Sequence, residues 1–166
     1  TLSTVTDPGG AKTTWTRDAF GRVTRLEEPD RGVTTYTHNG FGDLLVSVDA
    51  LGRSVGFDPD ALGRTITRTD TYAGKTLTTS WTWDTAPNGI GKLHTIMSPD
   101  ALKTYSYTKR GQLESEMLTV GADSFVSVWA YDDVGRVKSI DYPQPLGLEP
   151  FGVTHDYDPH GFVTRV

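Results

Sequence analysis

The 166-residue sequence contains no cysteine, which removes disulfides, thiolate nucleophiles and Cys-based zinc sites together. It has no apolar stretch approaching the roughly 20 residues that a membrane-spanning helix needs. Positive charge is sparse. Lys and Arg number 16 against 21 Asp and Glu, the net charge is −5, and no basic run exceeds two residues. A nucleic-acid groove needs a clustered positive field, so that partner is disfavoured. Phosphate-cradling glycine loops and a Gly-x-Ser-x-Gly nucleophile elbow are also missing. Gly74-Lys75-Thr76 has the tail of a phosphate loop without its upstream glycine. The chain opens at Thr1 in polar sequence with no charged-then-apolar leader. That is expected if a leader was removed or if the chain is part of something longer.

Hydrophobic residues make up only 36 % of the chain, too few for a thick core. In their place stand 25 Thr, 18 Gly and 17 aromatic residues. Threonine and aromatic side chains suit pleated, half-buried surfaces, and glycine punctuates turns. The composition predicts an all-β protein.

A phrase recurs along the chain: aromatic, two residues, Asp, two residues, Gly, polar, aliphatic. The first copy runs from Trp15 through Asp18 and Gly21 to Val23. The second runs from Tyr36 to Leu44 with Asn39 in the Asp place and Gly42 as anchor; the third starts at Phe57 and carries Asp60 and Gly63. The fourth begins Trp81-Thr82-Trp83-Asp84 and reaches Gly91 four residues late, which predicts a longer loop over 85–90. The fifth runs from Tyr105 around Gly111, and the sixth from Trp129 with Asp132 and Gly135. The seventh keeps Asp158 and Gly161 but has His155 where the others carry a ring. Anchor glycines are 20 to 28 residues apart, so constant hairpins joined by variable loops fit better than a strict solenoid.

Within a copy, the Asp carboxylate can accept the backbone N–H two residues on, and Gly supplies the positive φ that closes a type I turn with a bulge. Each copy is therefore read as a hairpin of two short strands. A lone hairpin is marginal in water, so neighbours must pair side by side. Pro29, Pro99 and Pro143 each fall eight residues after an anchor glycine. They mark where the second strand stops, since proline cannot donate to a ladder.

These motifs resemble the YD-repeat, or RHS-repeat, family. The resemblance is carried by Tyr131-Asp132-Asp133-Val134-Gly135-Arg136-Val137, by Asp18-Ala19-Phe20-Gly21-Arg22-Val23 and by Asp60-Ala61-Leu62-Gly63-Arg64. The stretch from Trp83 to Leu93 is similar to a long-loop variant in bacterial members. Seven copies in register cover nearly the whole chain. The resemblance implies tandem hairpins forming a curved antiparallel sheet, part of a hollow shell, in a secreted or cell-surface protein. In bacterial insecticidal toxin complexes and RHS polymorphic toxins such a shell encloses a C-terminal toxin; in teneurins a similar barrel is an extracellular adhesion module. Family toxins also carry an Asp-Pro-rich self-cleavage core. Asp156-Tyr157-Asp158-Pro159-His160-Gly161 has similar wording, but Asp158 and Gly161 occupy ordinary repeat positions and the longer core pattern is missing. No segment after the last copy is expected to be a toxin.

The recurring Asp18, Asp60, Asp84, Asp132 and Asp158 share one cause, turn capping, whereas a glycosidase needs two carboxylates flanking one bond. His155, Asp156, Asp158 and His160 have metal-ligand chemistry, but alternation puts His155 and Asp158 on opposite faces. The column Trp15, Tyr36, Phe57, Trp81, Tyr105 and Trp129 is expected to line up across hairpins and stack, or to offer a surface to sugars or polypeptide. The sequence thus predicts residues 1–166 as a single array of about seven repeats, a segment of a larger toxin-encapsulating wall. It predicts no enzyme activity, no cofactor and no metal. The partners are neighbouring repeats, an enclosed toxin polypeptide and, in the alternative adhesion reading, a glycan. Roughly 14 strands at ~4.8 Å would span about 65 Å. The end segments 2–6 and 162–166 carry little charge and no proline, so they are expected to act as unblunted edges.

Overall fold

The computed structural model describes residues 3–144 and 151–166. Regular structure among them is entirely β, sixteen strands without a helix. The chain falls into two compact units, Thr1–Ser80 and Trp81–Val166. The first holds β1 (Thr4–Thr6), β2 (Lys12–Arg17), β3 (Val23–Glu28), β4 (Gly32–His38), β5 (Leu44–Val48), β6 (Ser54–Pro59), β7 (Thr65–Tyr72) and most of β8 (Lys75–Trp83). The second holds β9 (Leu93–Met97), β10 (Ala101–Tyr107), β11 (Leu113–Val120), β12 (Asp123–Tyr131), β13 (Val137–Asp141), β14 (Gly152–Thr154), β15 (Asp156–Tyr157) and β16 (Val163–Arg165).

In the first unit every strand pairs antiparallel with its successor in the chain. The same rule holds from β9 to β14 in the second. Strand order is chain order, so each hairpin rests only on its neighbours. The three prolines fall where strands end: Pro29 directly follows β3, and Pro99 and Pro143 lie two residues beyond β9 and β13.

Period-two alternation gives the sheet of the first unit two different faces. One brings β-branched residues into register across strands, as in Thr35↔Val48, Thr37↔Val46, Thr69↔Thr78 and Thr71↔Thr76. Such pairs are the unit of sheet stabilisation. The other carries Trp15, Leu26, Tyr36, Val55 and Phe57 together with Arg68 and Asp70.

Neither face is covered by a second layer. Among the described residues only Ala86, at 5 % exposure, and Gly89 are buried, and most strand residues are half-buried. The accessible surface is 11399 Å², against roughly 8,100 Å² from the surface–mass scaling for a monomer of this size. The excess is what a single-layer sheet produces.

The ends differ from the expected pair of free edges. The segment 162–166 is not the edge of the long ladder, because β16 pairs with β15 in a separate two-stranded ribbon. At the other end β1 is an edge strand; Leu2, the first residue of that expected edge, lies outside the described residues.

Candidate functional site

The features that recur are the turns. Asp18 donates its N–H to the carbonyl of Arg22 at 2.9 Å, and Gly21 donates to the carbonyl of Asp18 at 3.0 Å. The ladder slips by one residue just before, between Thr16 and Arg17. Together these describe a type I turn closed by a glycine bulge. The Asp18 carboxylate completes it. One oxygen accepts the N–H groups of Phe20 (2.9 Å) and Arg22 (3.0 Å), and the other accepts Arg22 Nε at 2.6 Å.

Asp60 does the same with Leu62 and Arg64, and Asp132 with Val134 and Arg136. Asp158 accepts the N–H groups of His160 and Phe162, with Phe162 standing where the arginine would be. Asn39 caps Phe41 and Asp43 and donates from its amide to the Asp43 carboxylate. Thr108 Oγ1 accepts from Gln112 at 3.2 Å. All seven anchor glycines (Gly21, Gly42, Gly63, Gly91, Gly111, Gly135 and Gly161) hold φ between 73° and 103°.

The fourth copy is built differently. Asp84 has φ 67°, and its Oδ1 reaches over the loop to accept the N–H of Gly91 at 2.6 Å. The ladder closes from Asp84 N–H to the Lys92 carbonyl at 2.9 Å. Inside lies the buried Ala86, and Asn88 donates its side-chain amide to the Tyr107 carbonyl.

Four of the turn carboxylates, Asp18, Asp49, Asp60 and Asp132, are held below the ordinary carboxylate pKa. At Asp60 the Arg64 hydrogen bond, which outweighs desolvation, and the backbone donors keep the pKa below its ordinary value. At Asp18, Asp49 and Asp132 partial desolvation is the largest single effect and pushes upward, but the arginine and backbone hydrogen bonds together overcome it. A glycosidase acid needs the opposite perturbation, a carboxyl raised so that it keeps its proton.

Two turns escaped the sequence phrase. Asp7–Gly10 and Asp49–Gly52 close with the same pair of backbone bonds. They lie at the opposite ends of the strands, between β1 and β2 and between β5 and β6, where Thr4 and Val46 stand in the aromatic place. Requiring an aromatic hid them; searching for Asp-x-x-Gly alone would have found both.

The tie between hairpins was also not read. In three copies a tyrosine directly precedes the capping residue. Its hydroxyl donates to a backbone carbonyl of the preceding copy, two residues past that copy's anchor glycine. Tyr107 reaches Leu93 (2.5 Å), Tyr131 reaches Leu113 (2.7 Å) and Tyr157 reaches Val137 (2.6 Å). The residue after the anchor glycine reaches the other way. Arg22 Nη1 donates to the Asn39 carbonyl and Gln112 Nε2 to the Gly135 carbonyl, both at 2.7 Å. Arg136 lies over the Tyr157 ring at 4.2 Å.

The aromatic column does not stack. Its rings sit on alternate strands, which puts them about 9.6 Å apart. Leu26 on the intervening strand faces Trp15, Ser47 faces Tyr36, Arg68 faces Phe57, Glu116 faces Tyr105 and Ile140 faces Trp129. Trp81 lies on β8. Among the described residues the ring pair in contact is Tyr142 with Phe151, at 5.4 Å.

On the ring-bearing face of the first unit lies an open groove of about 490 Å³. Leu26, Tyr36, Val55 and Tyr72 form its apolar lining, and Glu28, Arg31, Asp49, Arg53 and Asp70 its charged rim. Among the described residues no group of three or more His, Cys, Asp and Glu is placed to hold a metal.

A single-layer array of antiparallel hairpins, each closed by its own capped glycine turn and several tied to a neighbour by side chains, defines a tandem-hairpin repeat protein. Residues 2–33 match the family model RHS Repeat. The crystal structure of TcdB2-TccC3-TEV has a similar fold, with a TM-score of 0.55 at 15% identity over 97% of this chain and 10% of that one. The Photorhabdus luminescens Tc holotoxin pore aligns with 91% of this chain and 12% of its own at 14% identity, with a TM-score of 0.34. The fold assignment rests on the first of these. The chain spans about a tenth of the length of the solved chains it matches. No curated protein matches its sequence.

Proposed function

We propose that the chain is a non-catalytic wall segment of a secreted shell that encloses a toxin polypeptide. In this reading residues 1–166 act as one array continuous with neighbouring repeats. The observation that carries it is the single layer. A sheet whose described strand residues are none of them fully buried encloses no core of its own, and half-buried side chains on both faces suit a partition between two spaces. The turn carboxylates support the non-catalytic part, since each is already committed to its own turn. The test is protease protection. Within a longer polypeptide carrying this array, the enclosed segment should resist trypsin while the wall is native. It should become cleavable when Tyr107, Tyr131 and Tyr157 are all changed to Phe. Equal cleavage of the segment in both forms would sink the proposal.

The groove on the first unit supports a second reading, a carbohydrate-binding or adhesion module. Tyr36 and Tyr72 beside carboxylates and two arginines combine stacking surface with hydrogen-bonding groups. Glycan-array binding abolished by Tyr36→Ala would favour it; a blank array would remove it.

A further inference from the structure

Turn tips are normally polar, and this turn needs only its capping residue and its glycine. The position just before the glycine is therefore free, and in the second unit it alternates between apolar Ile90 and Val134, exposed at 87 and 73 %, and polar Arg110 and His160. In the first unit it is Phe20, Phe41 and Leu62, exposed at 84, 97 and 77 %. Nothing in the turn requires these side chains. Arg22 lies 5.2 Å from the Phe20 ring, which gives Phe20 a local neighbour; Phe41 is almost wholly in solvent. All three sit at the same end of the strands, joining β2 to β3, β4 to β5 and β6 to β7. The opposite end carries Pro8-Gly9, Asp30-Arg31 and Ala73-Gly74, with Leu51 as its one large apolar tip.

From this asymmetry we propose that the row Phe20–Phe41–Leu62 is a docking edge, and that its occupant is the same row of a second copy of the chain. Three observations select that occupant. The tips fall on every second strand, so their pitch is about 9.6 Å, and a second copy matches it by construction. An α-helix offers one face every 10.5 Å, and would drift by about 2 Å over three tips. Next, a hollow of about 460 Å³ lies between two of the tips, lined by Phe41 and Leu62 with Asn39, Asp43, Pro59 and Asp60. A partner's apolar tip can seat there, so the rows interdigitate. A two-fold axis a quarter of a pitch from Phe41, on its Leu62 side, seats each copy's Phe41 in the other's hollow, the self-complementary arrangement of a closed dimer. Finally, three such side chains expose on the order of 500 Å² of apolar surface. Two rows together bury on the order of 1,000 Å², the lower bound for specific association. The dimer is weak and reversible.

Sedimentation velocity from micromolar to millimolar concentration tests this on the whole chain. The wild type should pass from monomer to dimer, and Phe41→Ser should weaken the dimer at least about tenfold with an unchanged melting temperature. Val5→Lys, which charges the free edge of β1, should leave the dimer intact. Because the chain lacks cysteine, Phe41→Cys should crosslink to a covalent dimer on mild oxidation. Leu51→Cys, at an exposed tip on the opposite end of the strands, should not. A monomer throughout, a dimer indifferent to Phe41→Ser, or a dimer abolished by Val5→Lys overturns the proposal.

Discussion

In the first, third and sixth copies the hairpin depends on its aspartate, because one carboxylate satisfies two turn amides and anchors an arginine. Asp18 shows the full set, and its partner Gly21 has open space around the position a Cβ would take. Gly21→Ala therefore tests backbone strain alone. It should destabilise by on the order of 1 kcal/mol, and an unchanged melting temperature would contradict the turn assignment. The carboxylates also set an acid limit. Asp18, Asp49, Asp60 and Asp132 are all held below their ordinary pKa in the folded chain. Their contribution is complete above the unfolded value and is lost as pH falls through the lowered ones. Melting temperature should drop progressively as pH falls below about 4. Arg22→Met, Arg64→Met and Arg136→Met combined should flatten that drop.

At the scale of elements, hairpins are joined by the tyrosine hydroxyls. Tyr131→Phe removes one donor and leaves the Leu113 carbonyl short of a partner, costing about 1 kcal/mol in thermal or urea denaturation. Desolvation raises the pKa of Tyr107 and Tyr131. A phenol raised on folding stabilises fully below its unfolded value, and the gain disappears as pH climbs through the folded one. Alkaline unfolding should therefore set in above about pH 10 and be blunted in Tyr107→Phe/Tyr131→Phe.

Hairpins, strand stops and the long loop at 85–90 were legible because each depends on local chemistry: a cap, a glycine, a proline. The ties between copies were not. Tyr131-Asp132 reads as one dipeptide, yet the carbonyl it meets belongs to Leu113, eighteen residues away, and register decides that. The ring column failed for the same reason. A period of one hairpin is a period of two strands, which leaves room for Leu26 or Arg68 between rings.

Across the molecule the ties are unevenly distributed. Tyrosine precedes the cap in the fifth, sixth and seventh copies; the first three have Arg17, His38 and Pro59 there. In a nearest-neighbour array local stability follows local interfaces. Amides of β4–β7 should exchange faster than those of β10–β13, and hydrogen-exchange mass spectrometry would show the gradient. Uniform protection would mean that the tyrosine ties add little.

Strand order that never departs from chain order has one more consequence, and it concerns growth. A copy inserted between two others meets only the hairpin before and the hairpin after it, and asks nothing of the rest. Gene duplication can therefore lengthen the strip by about 9.6 Å per copy without a new packing problem. Copy number would then set the length of the strip.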